Sequence, residues 1–118
     1  MTLVDTSVWV NHLRVGSSPL KSLLQEGLVL THPYVIGELA CGTLKNRSEI
    51  LALLQTLPEV RISEHHEVLL LLEFQKLFGK GLGWVDVSLL ASAKLTGCSL
   101  WTVDGPLQKA ATTLGIQE

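Results

Sequence analysis

Cysteine is scarce in this chain: Cys41 and Cys98 are the only two, far apart and outside any C-x-x-C arrangement. That spacing argues against a disulfide framework and fits reduced thiols. Long apolar runs are missing too. The longest, "VLLLLEF" at 68–74, is interrupted by Glu73 and falls far short of the roughly 18 to 20 residues a membrane span needs. The N-terminus "MTLVDTSVWVNHL" lacks the basic region, apolar stretch and small-residue cleavage site of a signal peptide, so a cytoplasmic protein is expected. Neither sign of charge dominates. A net charge of −2 and a pI near 6.1 advertise no global basic field for nucleic acid. If four of the 11 acids gather in one site, however, the nine Lys and Arg outnumber those left for the outer surface.

Repeats, low-complexity segments and linkers are also absent, and 118 residues suit a single domain spanning 1–118. A hydrophobic content of 47% and a mean hydropathy of +0.36 give that domain ample material for a core. "TLV" before Asp5 reads as a strand, and "SVWVNHL" after it has helical spacing. "GLVLTH" (27–32) has a continuous apolar centre, as in parallel strands covered on both faces. Thr31, with Pro33 two residues later, offers a helix start, and Ile36, Leu39, Ala40, Thr43 and Leu44 fall on one helical face.

"SEILALLQTL" predicts a short helix from Ser48, "EVRIS" (59–63) a third strand, and "HHEVLLLLEFQKLF" a long helix stopping at Gly79-Lys80-Gly81. A helix to Thr96 with Gly97 as its stop leads into "CSLWTV" as a fourth strand, and "DGPLQKAATTLGI" closes with a turn and a last helix. Strands separated by helices predict an α/β fold with a parallel sheet and right-handed crossovers.

Four carboxylates lie in unusually apolar surroundings. Asp5 ends the first strand and Asp104 the fourth, so both project at the carboxyl edge, where open α/β folds place their ligand sites. Glu38 is the one charge from Pro33 through Leu44, and Asp86 is accompanied only by Lys94 from Val85 to Leu95. Each has a plainer explanation: Asp5 as a helix cap, Glu38 as a solvated glutamate, Asp86 as a first-turn acid favoured by the helix dipole, Asp104 as a turn residue before Gly105-Pro106. Acids gathered in a partly dry cleft repel one another and tolerate ionisation mainly with a cation bound. Oxygen-only ligation without Cys/His spacing favours Mg²⁺ or Mn²⁺ over zinc. Such an ion suits phosphodiester hydrolysis, which makes metal-dependent nucleic-acid cleavage the leading reaction class.

"LVDTSVWV", "IGELACG", "GWVDVSLLASAKLTGCSLWTVD" and "GPLQKAA" together resemble the PIN-domain ribonucleases, in particular the VapC-like toxins of bacterial type II toxin–antitoxin pairs. The resemblance runs from Leu3 to Gly115 and rests on the order and spacing of short motifs. It implies a three-layer α/β/α sandwich around a central parallel sheet of four to five strands. It also implies a Mg²⁺- or Mn²⁺-dependent endoribonuclease leaving a 3′-hydroxyl and a 5′-phosphate, controlled by a cognate antitoxin. The family's catalytic, metal-holding acids fall on Asp5, Glu38, Asp86 and Asp104, and its supporting hydroxyls on Ser7 and Thr102. Val103 and Gly105 depart from the pattern, since many relatives carry a basic or second acidic residue around that motif.

Other features read as structural. His65 and His66 are adjacent, so they point in different directions on a helix, with no partner His at i+4. Trp9, Trp84 and Trp101 lie inside apolar runs and read as core. Arg14, Lys45, Arg47, Lys76 and Lys80 could meet phosphates, though scattered charges are more often a solvated face. "VLLLLEFQKLF" is more apolar than one buried stripe requires, which points to a homodimer. Two rivals to the nuclease remain. A catalytically weak PIN-like module binding RNA or protein would have lost acids at the matched positions, and none is lost. A receiver-type signalling domain needs an acidic pair after the first strand and an Asp after the third; "LVDT" offers one acid and "EVRIS" ends in Ser63.

Overall fold

The computed structural model describes residues 1–118. Three strands form a parallel sheet in the order β2-β1-β3: β1 (Thr2–Val4), β2 (Val29–Leu30) and β3 (Ser99–Trp101). Thr2 pairs with Val29 and Ser99, Leu3 with Leu30 and Leu100, and Val4 with Trp101. Seven helices surround them: α1 (Thr6–Val15), α2 (Ser18–Gln25), α3 (Pro33–Ala40), α4 (Arg47–Leu54), α5 (His65–Phe74), α6 (Trp84–Thr96) and α7 (Gly105–Thr113). No helix is long and apolar enough to cross a membrane.

The continuous apolar runs behave as expected of strands covered on both faces. Every residue of β1 and β2 is buried. Helix α6 is the central one: residues 87–93 are buried without a break, including Ser88 and Ser92. Ser88 Oγ donates to the Trp84 carbonyl at 2.8 Å, and Ser92 Oγ accepts from the Ser63 N–H at 3.1 Å, so the polar groups of this dry helix are partnered. Gly97, at φ 75, ends α6 in the left-handed conformation, and the chain turns directly into β3.

The sheet has three strands, not the four to five expected. "EVRIS" makes a single parallel bridge, Thr31 to Glu59, held by Thr31 N–H to Pro58 O and Val60 N–H to Thr31 O. Beyond it the backbone donors turn to side chains of α6: Arg61 N–H to Thr96 Oγ1 at 2.8 Å and Ser63 N–H to Ser92 Oγ. Those hydroxyls take the place of a ladder partner. On the opposite edge a second isolated bridge joins Leu100 to Gln117.

Two helix boundaries also differ. The cap of α3 is His32, not Thr31, and its Nδ1 accepts the Tyr34 N–H at 2.9 Å. The long helix stops at Phe74. Lys76 takes a positive φ of 51, Leu77 N–H closes on Leu72 O, and Leu77 is buried. Burying Leu77 turns the chain inward before Gly79 is reached.

Candidate functional site

The parallel order fixes where the acids lie. Asp5 follows β1 and Asp104 follows β3, both at the carboxyl edge. Helix α3 leaves that edge after β2, carrying Glu38. Helix α6 runs antiparallel to the strand it feeds, so its first turn, with Asp86, returns to the same edge.

Asp5 is buried, 6% exposed, and caps α1. Its Oδ2 accepts from Ser7 Oγ at 2.7 Å, from Thr102 Oγ1 at 2.8 Å and from the Ser7 N–H at 3.4 Å. The two hydroxyls lie 3.2 Å apart and tie in the following loop, since Ser7 Oγ accepts the Val103 N–H and Thr102 Oγ1 the Asp104 N–H. Ser7 and Thr102 thus hold the Asp5 carboxylate and the approach to Asp104 in one network. Asp104 caps α7, its Oδ2 accepting the Leu107 N–H at 3.1 Å.

Glu38 is exposed rather than enclosed, and its Oε1 accepts from Thr6 Oγ1 at 2.6 Å. That bond brings Glu38 to the residue next to Asp5. Asp86 is half-buried, with Oδ2 accepting the Gly83 N–H at 2.9 Å. Burial pushes its pKa above the usual carboxylate range; the Gly83 bond opposes this, and the carboxylates of Asp104 and then Asp5 add to it. Asp86 therefore shares the field of two of the other acids.

The four acids follow one pattern. In each, one oxygen is fixed by a protein donor and the other takes no protein hydrogen bond. The chain's buried side-chain atoms without partners are Trp9 Nε1, Thr31 Oγ1 and His32 Nε2, so the free Oδ1 of buried Asp5 is not shut away. An oxygen-only donor set with oriented carboxylates and one free oxygen apiece fits a hard divalent ion. The side chains do not form a finished cage, because no three His, Cys, Asp or Glu groups are placed to hold one ion together.

Thr6 and His32 went unread in the sequence. Thr6 is legible as the first helical residue after a cap, but its target lies on a distant helix. His32 is fully buried and precedes Pro33, a Pro at the first helical position that marks it as the cap. Burial lowers its pKa to about 4, and with Nδ1 accepting the Tyr34 N–H, the neutral ring's proton belongs on Nε2.

The histidine pair is not a metal site: His65 packs on Trp84 with ring centroids 4.8 Å apart, and His66 Nδ1 lies 3.4 Å from Glu64. Trp9 is core and Trp101 packs against it, whereas Trp84, expected in the core, is 39% exposed. Arg47 is occupied locally, donating through Nε and Nη2 to the Ala40 carbonyl.

Comparison with known proteins shows the family. The PIN domain family model matches residues 2–112. The ribonuclease VapC32 of Mycobacterium tuberculosis, found in two strains, is 44% identical over 117 residues, covering 98% of this chain and 94% of the relative. With an α/β fold and a parallel three-stranded sheet to match, the chain belongs to the PIN-domain family, among the VapC ribonucleases.

Proposed function

We propose that this protein is a Mg²⁺- or Mn²⁺-dependent endoribonuclease, the toxin of a type II toxin–antitoxin pair, with Asp5, Glu38, Asp86 and Asp104 as its catalytic, metal-holding acids. One observation carries the reading: four acids from four elements reach one sheet edge, each with one oxygen fixed and one free. The substrate is RNA, as the relative's name says of that protein.

The free oxygens of the four acids would hold the ion. Bound there, it would supply Lewis-acid stabilisation for charge building on the phosphodiester oxygens and would lower the pKa of water. The chain's own residues do the positioning. Ser7 and Thr102 keep the Asp5 carboxylate fixed by one oxygen, which would leave its other oxygen oriented for the ion. Thr6 does the same for Glu38. Asp86, whose pKa is raised by burial and by the carboxylates of Asp104 and Asp5, would hold the ion only as the carboxylate, so affinity should fall with falling pH.

The helices form the outer layers of a three-layer sandwich, residues 1–118 act as one domain, and the protein works in the cytoplasm under a cognate antitoxin. On α5 and the turn after it, Leu69, Leu70, Phe74 and Phe78 are exposed, Phe74 at 78%. That apolar face supports a homodimer.

A second reading, a PIN-like module that binds RNA or protein with little catalysis, draws support from the unfinished cage and from Val103 and Gly105 beside Asp104. Cleavage decides between them. Total RNA, including tRNA and ribosomes, is incubated with wild type, Asp86→Asn and Glu38→Gln in Mg²⁺ or Mn²⁺, and with wild type in EDTA. The nuclease gives discrete metal-dependent fragments that both variants lose by at least about a hundredfold. Equal patterns from wild type and variants would move the assignment to the binding module.

A further inference from the structure

Outside the carboxylate cluster, a cavity of about 260 Å³ opens between the segment 77–82 and α7, walled by Leu77, Leu82, Pro106 and Ala110 and edged by Lys80 and Lys109. Its apolar walls are unusual in carrying charge of one sign only. Both lysines are exposed, and neither has a carboxylate partner, since the one ion pair in the chain joins His66 and Glu64.

The segments that wall the cavity lead along the chain into the acidic site. Gly81, at φ +77, packs on Pro106, where a Cβ would stand 3.5 Å from Pro106 Cγ. Two residues later the Gly83 N–H holds Asp86, and two residues before Pro106 stands Asp104. The walls of the cavity are thus the chain entering Asp86 and the chain leaving Asp104. Lys109 lies five residues into α7, about 7.5 Å along the axis from Asp104.

A polyanion approaching four carboxylates is repelled unless cations lie beside them, and the protein's net charge of −2 supplies no general attraction. Unpaired lysines at the rim of a cavity next to the acids meet that need. The apolar floor offers a surface for a base or ribose to cover.

We propose that this cavity is a nucleotide subsite for the RNA strand flanking the cleaved bond. Lys80 and Lys109 pair with the phosphates on either side of one nucleotide, and its nucleoside packs against Leu77, Leu82, Pro106 and Ala110. The inference rests on the ribonuclease reading for its ligand, but its test reads binding and not cleavage. Apart from the lysines, the one lining side chain with a hydrogen-bonding group is Thr113, whose hydroxyl already donates to the Lys109 carbonyl, so the subsite tolerates sequence.

The experiment follows the anisotropy of a labelled single-stranded RNA pool of random sequence bound to the full chain, in Mg²⁺ and an Asp86→Asn background that spares the RNA, over a range of KCl. Removing two phosphate contacts with Lys80→Gln/Lys109→Gln should make the slope of log K against log salt shallower by about 1.4. Lys80→Arg/Lys109→Arg should restore it, and the charge-matched pair Lys21→Gln/Arg61→Gln should leave it as in the parent. An unchanged slope in the Lys80/Lys109 variant would overturn the subsite, as would an equal change in the Lys21/Arg61 pair, which would mean diffuse attraction. Wild-type cleavage, run in parallel, keeps the outcomes separate: cutting with a lysine-insensitive slope removes the subsite alone, and a lysine-dependent slope without cutting removes the nuclease alone.

Discussion

Asp86 is half-buried beside the carboxylates of Asp104 and Asp5, and its single protein donor is the Gly83 N–H. Because its folded pKa lies above the ordinary 3.8, the folded state binds the proton more tightly than the unfolded chain. Stability therefore falls as pH rises between those two values, and the penalty stays in full above them. Asp86→Asn keeps an acceptor for Gly83 and removes the charge. Without metal it should melt about 2–5 °C higher than wild type near neutral pH, with the gain fading as pH falls to the unfolded value. It should also respond less to Mn²⁺. Thermal melts in EDTA and in Mn²⁺ check both, and a variant with wild-type melting and metal response would take Asp86 out of the site. At this scale the four acids drew the eye in the sequence because each stood nearly alone in an apolar stretch. The side chains that fix them were less legible: Ser7 and Thr102 were found only through family likeness, and Thr6 was missed, because a hydroxyl's partner depends on how distant elements pack.

Elements are joined at the site by the hydroxyls of Ser7 and Thr102. Thr102, just past β3, donates to Asp5 at the start of α1 and accepts from the Asp104 N–H leading into α7. Thr102→Val keeps the shape but leaves the Asp104 N–H unpaired and removes a donor from buried Asp5. It should cost about 1–3 kcal/mol in urea unfolding and lower cleavage, since the carboxylate loses its anchor. An unchanged unfolding midpoint would show that the network holds nothing. The legible elements were those with one dominant local signal: β1 ahead of Asp5, α6 with Gly97 as its stop, α7 after Asp104. "EVRIS" misled because its composition suits a strand while its backbone donors go to Thr96 and Ser92 of α6. The inward turn that buries Leu77 likewise shortened α5 in a way that helical spacing alone does not reveal.

At the level of the whole molecule, the proposed site requires the chain to be folded throughout. Asp5 comes from the end of β1, Glu38 from α3, Asp86 from α6 and Asp104 from the cap of α7, and the order β2-β1-β3 is what brings them to one edge. Metal affinity should therefore appear with the native state and vanish with it, and the bound ion should stabilise the fold by mass action. Calorimetric titration of Mn²⁺ into the intact protein, wild type beside Glu38→Gln and Asp86→Asn, tests this shared carboxylate site most directly. Wild type should bind Mn²⁺ saturably, with affinity weakened about tenfold or more in each variant. Saturable binding equally tight in all three proteins, or none in the wild type, would contradict the shared site.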